Sequence, residues 1–78
     1  MKNKPFSIYE QTNDESIWMR KSSYKSMQDA LLALRHMCET PLSKRGLLTV
    51  LPNSGVDGEK RCIGIKPEFI EQVKLTAR

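Results

Sequence analysis

The stretch "IWMRKSSYKSMQDALLALRHMC", residues 17–38, changes its hydrophobic period part-way along. Over its first residues Ile17 and Met19 alternate with Trp18 and Arg20, the period of two expected of a half-buried strand. From Ser26 onward Met27, Ala30, Leu31, Leu34, Met37 and Cys38 recur at spacings of three and four, which is one face of a helix. Ser26 stands where a cap is needed and Asp29 follows three residues later, the S-x-x-D capping pattern. Gln28, Asp29, Arg35, His36 and Glu39 fall mostly on the opposite face, with Leu32 at the border. A strand therefore runs into an amphipathic helix, and the flanking sequence must supply the rest of a sheet.

It does so on both sides. In "PFSIYEQ" (5–11) Phe6 and Ile8 alternate with Ser7, Tyr9 and Gln11, and Pro5 suits the first position because it cannot donate to a ladder. "TNDES" (12–16) reads as the turn of an antiparallel hairpin, since Asn13 and Asp14 tolerate positive φ and bond their own backbone. Pro41 and Gly46 end the helix. "LLTVLP" (47–52) is a strand, "NSGVDGE" (53–59) a loop, and "KRCIGIK" (60–66) a further strand. Pro67 can open a short C-terminal helix, "PEFIEQVKL", with Phe69, Ile70 and Val73 as its apolar stripe. The order β-β-α-β-β predicts an α+β fold: an antiparallel four-stranded sheet with one main helix across a face.

Alternation then assigns the faces. Phe6, Ile8, Ile17, Met19, Leu48, Val50, Ile63 and Ile65 are expected to meet the helix. The second face receives Tyr9, Trp18, Arg20, Leu47, Thr49, Leu51, Cys62 and Lys66. That face is half apolar and half basic, so it requires a cover: the terminal helix, a second copy or a partner.

The chain has 78 residues and reads as a single domain, residues 1–78. A domain of this size buries only about 60–65% of its unfolded surface and has little room for a deep cleft. Thirteen Lys and Arg against nine Asp and Glu give a net charge of +4, favouring nucleic acid or an acidic protein as partner. The opening "MKNKPFSIYEQ" has no apolar signal run, and no stretch approaches the roughly 20 apolar residues of a membrane span. Cys38 and Cys62 lie far apart without metal-ligand spacing. The expectation is a reduced, cytoplasmic protein with no membrane association, metal or cofactor.

Catalytic constellations are not evident. His36 and Cys38 point to different sides of the helix, which does not make a nucleophile–base pair. Asp14/Glu15 and Asp57/Glu59 sit in polar loops, and the glycine-containing loop joins two strands instead of opening a helix that could hold phosphate. The chain is expected to be a non-enzyme. For binding, Tyr9 and Trp18 could stack bases while Arg20, Lys21 and Lys25 neutralise phosphates. Tyr24 stands at the entry to the helix. The pairs Lys44–Arg45 and Lys60–Arg61, together with Lys66, would extend one electropositive edge if they converge. The competing reading packs Trp18 under the terminal helix or a dimer mate and leaves the charges solvated.

The β-β-α-β-β order over residues 6–66, in a basic chain of this length, resembles several small phage-encoded accessory proteins, including some inhibitors of CRISPR surveillance complexes. The resemblance is of element order and carries no motif. It implies a protein that docks on a nucleic-acid-handling complex and blocks it. The expected partners are thus nucleic acid or a nucleoprotein complex, a host protein complex, or a second copy in a homodimer.

Overall fold

The computed structural model describes residues 4–58 and 61–78. Its hairpin pairs β1 (Phe6–Gln11) with β2 (Ile17–Tyr24). The turn between them is closed by Thr12 N–H donating to Ile17 O at 2.9 Å. Asp14 Oδ1 accepts from the Ser16 hydroxyl (2.7 Å) and the Ser16 amide (3.0 Å). Those two bonds, the hydroxyl's first, hold the Asp14 carboxyl below its ordinary range. The turn achieves this without positive φ at Asn13 or Asp14, although both residues would tolerate it.

The register slips once. Ile8 faces Ser22 and Tyr9 faces Arg20, so Lys21 is an extra, bulged residue. The bulge resets the parity of β2 and sends Tyr24, opposite Phe6, to the same side as Ile8. Ser26 then caps α1 (Met27–Met37), accepting from Asp29 N–H at 3.1 Å. After a 3-10 turn at Leu42–Lys44 comes β3 (Leu48–Pro52) and a second 3-10 turn at Asn53–Gly55. β4 (Cys62–Gly64) and α2 (Pro67–Thr76) complete the chain. The four strands are antiparallel in the order β3-β1-β2-β4.

The helices cover opposite faces. α1 lies chiefly over β3, β1 and β2, closing a core of Ile8, Ala30, Leu34, Leu48 and Val50 with Phe6, Tyr24, Met27, Ala33 and Met37 around it. α2 closes a second core of Tyr9, Trp18, Leu51, Val56, Ile63 and Val73, flanked by Leu47, Ile65 and Phe69. The terminal helix is therefore the cover that the second face requires.

Two face assignments are corrected. Ile63 and Ile65 pack under α2, not α1, because Trp18 pairs with Ile63 and a one-residue change of register exchanges the faces of a strand. Cys62 accordingly leaves the second face. On α1, Leu31 is exposed and Ala33 takes part in the packing, so the buried stripe is narrower than the spacing predicts.

Both sheet edges carry additional backbone. Outside β4, Val56 bridges Ile65, Asp57 N–H donates to Gly64 O (3.0 Å) and Lys66 N–H to Gly55 O (2.9 Å). Outside β3, Leu48 and Arg78 exchange both bonds, at 2.8 and 2.9 Å. At the start of β3, Gly46 passes so close to Gln11 that a Cβ would run into its carbonyl oxygen.

Candidate functional site

The aromatic and basic residues of the second face are joined in an internal network. Tyr9 is 0% exposed, and its hydroxyl donates to Asn53 Oδ1 (3.1 Å) while accepting from Arg20 Nε (3.4 Å). The Arg20 guanidinium stands 5.6 Å from the Tyr9 ring centre, a cation–π distance. Ser7 Oγ donates to Asn53 Oδ1 at 2.5 Å and lies 2.8 Å from Ser23 Oγ. Trp18 is 4% exposed against Ile63 and Val73. Neither ring can therefore stack on a base. This corrects the expectation for Tyr9 and Trp18, and α2 is its physical cause.

The remaining basic residues do not form one edge. Lys21 lies 3.3 Å from the Glu10 carboxylate, which also accepts from Gly46 N–H at 2.8 Å. Arg45 is a backbone clamp: it donates to Thr40 O (2.6 Å), Gly46 O (3.1 Å) and Arg78 O (2.8 Å). Lys21 and Arg45 line a small cavity of about 190 Å³ with Glu10 and Met37, and exposed Lys44 precedes Arg45. Lys25 is exposed at the far end of β2, next to the helix cap. Arg61 is exposed beside β2, its carbonyl accepting from Arg20 N–H at 2.9 Å. Lys66 is half-buried at the start of α2, and Tyr24 packs beside α1 with its hydroxyl 2.6 Å from Ser22 Oγ. Lys60 lies outside the described residues. The structure thus brings Lys21 and Arg45 to one cavity and sets Arg61 beside Arg20, one residue from Lys21, while Lys25 stands apart at the other end of β2.

His36 is on the solvent side of α1, 3.7 Å from the Glu39 carboxylate, while Cys38 turns toward the α1 core. Both cysteines are free. Among the described residues no group of three or more His, Cys, Asp and Glu could hold a metal ion. No helix among them is long and apolar enough to cross a membrane.

Sequence reasoning missed the apolar surface. Leu31, Leu32, Leu42, Ile70 and Leu75 are exposed, Leu75 to 85%. Two grooves lie beside Leu31, Ile70 and Leu75. The first, about 460 Å³, runs between the hairpin turn and α2; Ile17, Trp18, Ile65, Ile70 and Val73 form its apolar wall and Glu15 and Lys74 stand among its polar residues. The second, about 470 Å³, follows the outer edge of β3 between α1 and the last turn of α2, with Met27, Leu31, Leu34, Val50 and Leu75 among its lining. The available signal was a surplus: Leu31 with Leu32, and Ile70 with Leu75, are more apolar residues than one stripe per helix uses.

No known protein family, curated protein or solved structure matches the chain. The functional reading rests on these surfaces alone.

Proposed function

We propose that this protein is a small, basic, non-enzymatic docking module that binds another protein as an adaptor or inhibitor. One observation carries the reading: the two rings suited to nucleic acid are used inside the fold, while Leu31, Ile70 and Leu75 stand exposed beside grooves. Isolated apolar side chains are common on surfaces, but side chains bordering a concave apolar groove mark contact sites. The net charge of +4 favours a partner with an acidic rim, because complementary charge raises the rate of encounter. With both thiols free, the setting is read as cytoplasmic.

Direct contact with nucleic acid is the second reading, and it rests on Lys21 and Arg45 around one cavity and on Arg61 beside Arg20. Affinity purification with the tagged chain, followed by nuclease treatment and a salt series, separates the two. Protein that stays bound after nuclease and at raised salt supports docking. Release by nuclease, with affinity falling steeply as salt rises, supports nucleic acid. A doubled mass in solution without any partner would instead indicate a homodimer.

A further inference from the structure

We propose that the groove along the outer edge of β3 receives a short extended segment of a partner protein, through a single backbone rung at Val50. The proposal deepens the docking reading above and rests on it. Gln11 N–H donates to Leu47 O and Asn53 N–H to Pro5 O, which fixes the parity of the β1–β3 ladder. Leu47, Thr49, Leu51 and Asn53 turn their backbone groups toward β1, so Leu48, Val50 and Pro52 direct theirs outward. Leu48 is already satisfied by Arg78, and Pro52 has no N–H to give. Val50 remains. Neither its N–H nor its C=O has a partner among the described residues, and Val50 lines the second groove while only 7% exposed. An outward-facing, unpaired donor and acceptor on a sheet edge are where an extended backbone adds, satisfying both together.

The protein itself shows the mode of binding one rung away, where Arg78 lies against Leu48 as an antiparallel backbone. One partner residue would exchange both bonds with Val50, and a bulky apolar side chain would enter the space between Met27, Leu31 and Leu75. Among the described residues no Asp or Glu side chain lines the groove and Arg78 does, so an acidic residue beside the apolar one complements it. A second copy is a poor occupant. Pairing β3 with itself about Val50 sets Leu48 of one copy against Pro52 of the other, completing no further rung, and each copy carries +4.

The test selects binders from a displayed library of random linear peptides on the immobilised full chain, then titrates a selected synthetic peptide into ¹⁵N-labelled protein. The free protein should exchange its Val50 amide proton quickly, while those of Thr49 and Leu51 are protected. Enriched peptides should pair a bulky apolar residue with Asp or Glu and slow exchange at Val50. Binding should weaken about tenfold or more with Leu75→Gln or Leu31→Gln, or on N-methylation of the peptide's central residue. Both substituted side chains are exposed, so the fold is retained. The proposal is overturned by any of four outcomes: a Val50 amide already protected in the free monomer, protection that accompanies a doubled mass, no enriched peptide, or peptides that perturb Ile17 and Ile70 instead. If any of these occurs while a nuclease-resistant protein partner is still retained, docking stands and the Val50 site falls. Loss of that partner removes both.

Discussion

The two faces of the sheet are closed by different chemistry. Under α1 the fully buried residues Ile8, Ala30, Leu34, Leu48 and Val50 are aliphatic, and the Phe6 and Tyr24 rings pack at their margin. Under α2 two rings are themselves buried, and Tyr9 is tied through Asn53 and Arg20 into a shared polar network. An aliphatic core tolerates changes that keep its volume, whereas a polar network must be satisfied as a whole. The α1 face therefore supplies general stability, and the α2 face specifies which loop lies where.

The sharpest way to break this contrast is Trp18→Ala, expected to cost about 3–5 kcal/mol in urea unfolding. That is a large fraction of the roughly 5–15 kcal/mol typical of a domain. The volume-conserving Leu34→Met on the other face should cost less than about 1.5 kcal/mol, and equal losses would dissolve the distinction. Next, Asn53→Ala strips partners from Ser7 and Tyr9 and should cost about 1–3 kcal/mol, against about 1 kcal/mol for Tyr9→Phe. Combined, the two should cost measurably less than their sum in a double-mutant cycle, because they break one shared bond. Ser26→Ala lies outside both cores and should cost about 1 kcal/mol through the lost helix cap, read as reduced helicity near the start of α1. The smallest effect is at the hairpin turn. The Asp14 carboxyl titrates below its ordinary value of 3.8, so its contribution is present above that pH and is lost as the pH falls through the lower folded value. Acid titration by NMR should loosen residues 12–16 in that window, and Asp14→Asn should remove the dependence.

The same contrast explains what could be read from the sequence. The α1 face was legible because Ser26, the helical spacing and the alternation of Phe6 and Ile8 all agree. The α2 face was legible only as something needing a cover. Phe69, Ile70 and Val73 marked α2 as one cover among three, and only packing selects it. β4 was misassigned because a three-residue strand with a glycine has almost no pattern of its own, and its pairing with Trp18 decides its parity. The bulge at Lys21 leaves no compositional trace. For the candidate site, residue types showed which side chains carry charge, but convergence depends on register. Arg45 illustrates the gap, since it reads as a phosphate ligand and is used to hold three carbonyls.

β3 lies at the margin of the sheet in space, yet it anchors both ends of the described chain. Asn53, directly after it, bonds the carbonyls of Lys4 and Pro5, and Leu48 holds Arg78. The β1–β2 hairpin is a local structure that can form early, but its outer flank stays bare until β3 returns across the length of α1. Such long-range closure slows folding and makes it cooperative. The ends consequently do not fray independently. Detaching β3 frees both at once, so a protease cutting at either end times the departure of the same strand.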